Sequence, residues 1–76
     1  MTIYKAVKLR KLVAVLLSHG FVVIEGSNHT KYYCNEHQAT IILPRHKNVS
    51  PGVVKNTTNL LVKTCGLNEQ YLLKVL

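Results

Sequence analysis

The residue of this 76-residue chain best suited to acid–base chemistry is a histidine that directly follows a short polar turn. His29 comes after Gly26-Ser27-Asn28, residue types that favour a tight turn. A glycine lets an anion approach the backbone closely, and the amides of such a turn can donate hydrogen bonds to a phosphate. An imidazole has an ordinary pKa of about 6.5, so it gives or takes a proton near neutrality. We therefore predict that His29 is a general acid or base. The alternative is a histidine that only caps the turn.

Two residues after His29 can support the same chemistry. Lys31 and Tyr33 follow it at two-residue spacing, which places all three on one face of a strand. The ammonium of Lys31 can then reach a phosphate held at His29, and the ring of Tyr33 can stack on a base. The alternatives are an ordinary solvated lysine and a surface-filling aromatic residue.

A second basic segment, Pro44-Arg45-His46, follows a later strand-like stretch. The planar guanidinium of Arg45 can bind a phosphate. His46 either assists the proton transfers or makes structural hydrogen bonds in its loop. We expect the segment to lie near His29 if the two strands are neighbours. His19 and His37 are expected to be a helix-end residue and a loop-tip residue without a chemical role.

The spacing of apolar residues predicts a first helix over residues 3–19. Thr2 is its expected N-cap, and Gly20 fits the left-handed position that ends a helix. We expect one apolar arc to face the core. Its members are Ala6, Leu9, Leu12, Val13, Leu16 and Leu17.

Three strands and a second helix are predicted after Gly20. The strands are Phe21–Glu25, His29–Cys34 and Ala39–Leu43, and polar turns separate them. Ser50-Pro51 is typical of a helix start, which predicts a helix over 51–65 that Gly66 ends. Asn68 is expected to cap a short last helix that buries Leu72 and Val75.

The predicted order α-β-β-β-α indicates an α+β fold in a single domain, residues 1–76. Its three-stranded antiparallel sheet would carry the helices on one face. The other face would stay open, with His29, Lys31 and Tyr33 on it, because a lysine side chain should not point into a core.

A basic row, Lys5, Lys8 and Lys11, is expected along the first helix. It can track a phosphate backbone, remain merely solvated, or dock an acidic partner, with Val15 beside it as an apolar contact.

Composition limits the function classes. The net charge of +7 indicates a polyanionic partner, nucleic acid before acidic membrane. The longest apolar run, Leu12–Leu17, is too short to span a membrane. Cys34 and Cys65 form neither a disulfide framework nor a zinc knuckle, so two reduced, buried thiols in a cytoplasmic protein are expected. The three acids are scattered, so we expect no metal and no small-molecule cofactor.

Three motifs in the right order resemble the HicA family of small bacterial toxins. They are Glu25 to Tyr32 with Gly-Ser-Asn-His at its centre, then Leu43-Pro44-Arg45-His46, then Pro51-Gly52. The resemblance spans residues 7 to 67. Three features depart from the family pattern. The stretch from Pro51 to Gly66 is about one helical turn longer, and the tail after Gly66 is also somewhat long. The isoleucine expected early in that helix has no clear counterpart, with Asn56-Thr57-Thr58 in its neighbourhood.

The resemblance implies a fold like the double-stranded-RNA-binding domain, a ribonuclease activity on mRNA, and a HicB-type antitoxin as partner. Cleavage would use the RNA's own 2′-hydroxyl, with His29 as general acid or base and no metal. The site would be supported by the neighbours already discussed, namely Gly26, Ser27, Asn28, Lys31, Tyr33, Arg45, His46, Lys8 and Lys11. The alternatives are a non-catalytic RNA-binding module of the double-stranded-RNA-binding type and an adaptor without a nucleic-acid role. Lys55 is the one lysine in the first turn after Pro51, which counts against the RNA-binding module.

Overall fold

Three helices and five strands make up the part of the chain that the computed structural model describes, residues 4–26 and 29–76. In chain order they are β1 (Val7–Lys8), α1 (Leu9–Ser18), β2 (Val22–Glu25), β3 (His29–Cys34), β4 (Ala39–Pro44), β5 (Asn48–Val49), α2 (Pro51–Cys65) and α3 (Glu69–Val75). The predicted α+β fold, similar to the double-stranded-RNA-binding domain, is confirmed, and the structure adds the short strands β1 and β5.

The central sheet is antiparallel, with β3 between β2 and β4. Thr30, Tyr32 and Cys34 point from β3 into the core. Ala39, Ile41 and Leu43 of β4 are buried as well, against side chains from all three helices. The opposite face is open to solvent, as the alternation predicted. It carries Val22, Ile24, His29, Lys31, Tyr33, Thr40 and Ile42.

The first helix begins at Leu9, six residues later than predicted. Residues 7 and 8 instead pair with 48 and 49 in a two-stranded ladder, and the amide of Leu9 donates to the carbonyl oxygen of Lys47 at 2.9 Å. Val7 and Val49 are buried by this pairing. The expected cap Thr2 lies outside the described residues. The predicted basic row is therefore wrong as a helix face, since of its three lysines only Lys11 is helical.

The buried arc of α1 is turned relative to the prediction. Leu12, Val15 and Leu16 are buried, whereas Leu17 is 48% exposed. The predicted arc includes Ala6, but Ala6 is not on the helix and is exposed. Without Ala6, the buried face of α1 is centred on Leu12 and Leu16, and it includes Val15. Val15 is thus not the surface contact that its position beside the lysines suggested.

The second helix has the predicted bounds and ends at Gly66, whose φ of 68° is left-handed. Its buried residues are Val54, Thr57, Thr58 and Leu61. The hydroxyl oxygen of Thr58 is the one buried side-chain polar atom in residues 4–26 and 29–76 without a hydrogen-bond partner.

The last helix packs beside α2 and completes the core. Asn68 caps it, since its side chain accepts from the amides of Gln70 and Tyr71 at 2.8 and 3.2 Å. Leu72 is fully buried, as predicted, but Val75 is 39% exposed. The phenol of Tyr4 donates to Glu69 at 2.6 Å, and this bond raises the pKa of Tyr4.

Both cysteines are free thiols. Cys34 is buried, whereas Cys65 at the end of α2 is only half-buried, which corrects the expectation that both lie inside. Partial burial raises the pKa of Cys65, so the thiol form is favoured.

Replacing Thr58 by valine should stabilise the protein. The side chains have nearly the same shape, and the change removes a buried hydroxyl that no group satisfies, so we expect the free energy of unfolding to rise by about 1 kcal/mol. Urea unfolding followed by circular dichroism measures it. Thr57→Val is the matched control, because Thr57 is also buried in α2 but its hydroxyl is not left buried and unpaired. A loss of stability in Thr58→Val, or an equal gain in both variants, would contradict the assignment.

Candidate functional site

His29 is the first residue of β3 and lies exposed on the open face of the sheet. Its partner across the ladder is Pro44, the last residue of β4. The site is therefore where the β2–β3 turn meets the end of β4, and the two predicted segments around His29 and Arg45 are indeed neighbours. Ser27 and Asn28, whose amides were predicted to donate to a phosphate, lie outside the described residues.

Gly26 is required by a close backbone approach. A Cβ atom at this position would lie 2.5 Å from the carbonyl oxygen of His29, a distance that real Cβ atoms essentially never show. The end of β2 is thus packed directly against the backbone of the candidate catalytic residue. Any side chain at Gly26 would force the backbone at Gly26 or at His29 to shift, so this close approach requires glycine.

Arg45 joins the ends of all three strands of the sheet. Its Nη2 donates to Glu25 Oε2 at 3.0 Å and to the carbonyl oxygen of Gly26, both at the end of β2. Its Nε donates to Thr30 Oγ1 in β3 at 3.2 Å. The prediction that Arg45 binds a phosphate stays a prediction. The contacts give it a further part, since they hold the turn that carries His29.

The charges of Glu25 and Arg45 also affect the pKa of the buried Tyr32. Burial is the main cause that raises the pKa of Tyr32; the carboxylate of Glu25 raises it further, and the guanidinium of Arg45 lowers it. Tyr32 therefore stays a neutral phenol under the site. The ion pair itself is exposed, with 44% and 74% of the two side chains accessible, so it contributes at most about 1 kcal/mol.

Lys31 lies in the middle of the open face between two isoleucines. The register pairs it with Ile24 on one side and Ile42 on the other, and these are 47% and 55% exposed. Tyr33, half-buried, pairs with Val22 and Thr40 one step farther from His29. The face thus offers an exposed cation and an aromatic ring among apolar side chains.

Sequence reasoning missed the partners of Arg45 and the apolar neighbours of Lys31. The signal for Glu25 was its place next to the turn, and the signal for the isoleucines was strand alternation in β2 and β4. Register was the unknown in both cases, since alternation alone does not say which residues stand opposite each other.

The other predicted residues lie in the loop after β4 and at the start of α1. His46 is exposed in the loop between β4 and β5. Lys8 and Lys11 lie at the start of α1, and Lys8 lines a pocket together with Lys47 of that same loop. No three His, Cys, Asp or Glu side chains in the described part of the chain lie close enough together to hold a metal ion. Nor is any helix among residues 4–26 and 29–76 long and apolar enough to cross a membrane.

Similarity to known proteins identifies the family. The model of the HicA toxin of bacterial toxin–antitoxin systems matches residues 9–67, which include α1, the whole sheet, β5 and α2. No curated protein and no solved structure matches the chain. Because the matched range covers most of the 76 residues, the chain belongs to the HicA family, as a toxin of a toxin–antitoxin pair with an antitoxin as its partner.

Proposed function

We propose that this toxin is a metal-independent endoribonuclease that cleaves mRNA in the cytoplasm, with His29 as general acid or base. The observation that carries the proposal is the exposed start of β3, where Gly26 lies against the backbone of His29, Arg45 bonds to Gly26, and Lys31 supplies positive charge on the open sheet face. An exposed imidazole at this point can reach a phosphate bound on that face, which proton transfer requires.

The reaction needs no nucleophile from the protein. A base removes the proton of the RNA 2′-hydroxyl, and the 2′-oxygen attacks the adjacent phosphorus. The bond from phosphorus to the 5′-oxygen breaks, and an acid gives that oxygen a proton. The products are a 2′,3′-cyclic phosphate and a 5′-hydroxyl. His29 fills one of the two proton-transfer roles, and His46 in the neighbouring loop is the candidate for the other.

Positive charge beside His29 serves the transition state. Lys31 is two residues along the same face, and its ammonium can stabilise the extra negative charge on the phosphorane. Tyr33 offers a ring for a base to stack on, and Ile24 and Ile42 make the surroundings apolar. Arg45 acts in the proposal through the turn it holds, together with any phosphate contact it makes.

The antitoxin is proposed to act on the same surface. The open face exposes Val22, Ile24 and Ile42 around Lys31, a mixture of apolar side chains and charge that suits an acidic protein partner. A partner bound there covers His29 and excludes RNA.

The metal requirement and the products give a first test. We expect purified protein to cut RNA but not DNA of the same sequence, at an unchanged rate in excess EDTA. The fragments should end in a cyclic or 3′-phosphate and carry 5′-hydroxyls, which mass spectrometry identifies. Loss of cleavage in EDTA with recovery in magnesium would rule out the metal-free scheme.

Replacing His29 by alanine should remove cleavage and toxicity while leaving the protein folded. Loss of the proton-transfer group lowers the rate by roughly 10²–10⁴-fold. The exposed position predicts a change in the free energy of unfolding within about 0.5 kcal/mol. Growth after induction, a cleavage assay and circular dichroism measure the three effects. His37→Ala is the matched control, because His37 is exposed in the turn between β3 and β4. Wild-type cleavage by folded His29→Ala protein would show that the site is misassigned.

A substitution of Glu25 can distinguish the two roles proposed for Arg45, which are to hold the backbone before His29 and to bind a phosphate. If Arg45 mainly holds the turn, Arg45→Ala should slow cleavage by roughly tenfold to a hundredfold, since small displacements of a catalytic group are costly. Glu25→Gln should then slow it in the same direction by less. If Arg45 mainly binds phosphate, Glu25→Gln should release the guanidinium and tighten RNA binding. Cleavage rates and RNA affinities of both variants, with Glu36→Gln in the β3–β4 turn as control, decide between them.

A further inference from the structure

A cationic cavity lies at the start of α1, apart from His29. Its volume is about 440 Å³, and its lining residues are Lys8, Leu9, Arg10 and Lys47. Three of these four side chains carry a positive charge. We propose that this cavity binds a phosphate of the same RNA strand, a short distance along the chain from the phosphate that is cleaved. The inference rests on the proposed ribonuclease function and adds a second binding site to it.

The positive charges at the start of α1 are unfavourable for the stability of that helix. Lys8 is the N-cap of α1, and Arg10 and Lys11 lie in its first turn, which contains no acidic residue. Lys8 makes no side-chain capping bond. The N-terminus of a helix carries a partial positive charge, so cations there lower the stability of the helix and an anion raises it. Residues that disagree with their local structure are expected where function requires them.

The backbones that carry Lys8 and Lys47 are held by the two-stranded ladder of β1 and β5. The pairing of β1 with β5 places Lys8 opposite Asn48, and the bond from the Leu9 amide to the Lys47 carbonyl closes the ladder. Val7 and Val49, both buried, anchor the two strands in the core. Lys8 and Lys47 are exposed, so they are accessible to a ligand while their backbones are fixed.

A short stretch of chain links the cavity to the candidate catalytic residue His29. Pro44 stands opposite His29, and Lys47 follows Pro44 by three residues. Three extended residues span at most about 11 Å, so the cavity lies within a short stretch of RNA from a phosphate at His29. This proximity favours RNA over the carboxylates of a protein partner, which need no such alignment.

The binding test compares two pairs of lysines in a His29→Ala background, which prevents cleavage. Lys8→Gln/Lys47→Gln removes two charges at the cavity. Lys63→Gln/Lys74→Gln removes two exposed charges in the last turns of α2 and α3. With a short single-stranded RNA as probe, we expect the cavity pair to weaken binding at least tenfold more than the control pair. The dependence of log affinity on log salt should become shallower by about 0.7 for each phosphate that the protein no longer neutralises.

A stability measurement tests the same cavity without RNA. Arg10→Gln should raise the melting temperature by roughly 2–5 °C, because it removes a cation from the positive end of α1. Inorganic phosphate, compared with chloride at equal ionic strength, should stabilise the His29→Ala protein more than its Lys8→Gln/Lys47→Gln derivative. A role in structure alone would instead make these substitutions destabilising.

Equal RNA affinity and equal salt dependence in the cavity pair and the control pair would overturn the proposal. Destabilisation of the protein by Arg10→Gln would overturn it as well. If the cavity pair weakens binding of the antitoxin while RNA affinity stays intact, the cavity is a protein-docking site and the proposal is wrong. A failure of the proposed catalysis shows separately, as an absence of cleavage by the wild-type protein.

Discussion

The guanidinium of Arg45 meets the end of every strand in the central sheet, and the geometry of the candidate site depends on that meeting point. It bonds to Glu25 and Gly26 at the end of β2 and to Thr30 in β3, while its own backbone continues from β4. An exposed ion pair of this kind adds little to stability. Its value lies in position, because the same contacts hold the turn whose glycine touches the backbone of His29. One cation thus links the two motifs that the sequence carries separately.

The charge balance of the molecule favours anionic partners. Of the three acidic residues, Glu25 is used by Arg45 and Glu69 by Tyr4, so they serve contacts inside the fold. Ten basic residues remain largely uncompensated, and self-repulsion of a net charge of +7 opposes folding. Any anionic partner that binds the native state relieves this repulsion and raises the apparent stability. The antitoxin implied by the family and the proposed RNA substrate draw on the same surplus of charge.

Local patterns predicted the elements that are defined by near neighbours in sequence. The bounds of β3 and α2 match, and the caps at Gly66 and Asn68 are as expected, because turn and cap chemistry involve residues a few positions apart. The predicted start of α1 was wrong because residue 7 pairs with residue 49, a contact between distant parts of the chain that helical periodicity does not encode. The place of His29 on the open face followed from alternation. The contacts of Gly26 and Arg45 near His29 could not be predicted, because they depend on the register of the strands.

The size of the chain accounts for the open face on which the site lies. A domain of 76 residues buries only about 60% of the surface that its unfolded chain exposes, and its three helices suffice to cover one side of a three-stranded sheet. The uncovered side keeps Val22, Ile24 and Ile42 in water at a cost in free energy. Exposed apolar residues grouped in this way are typical of interaction surfaces. The proposed catalysis needs the same face open to RNA, and the proposed mode of inhibition needs it covered, so one surface left uncovered by a small fold would suit both the RNA and the antitoxin.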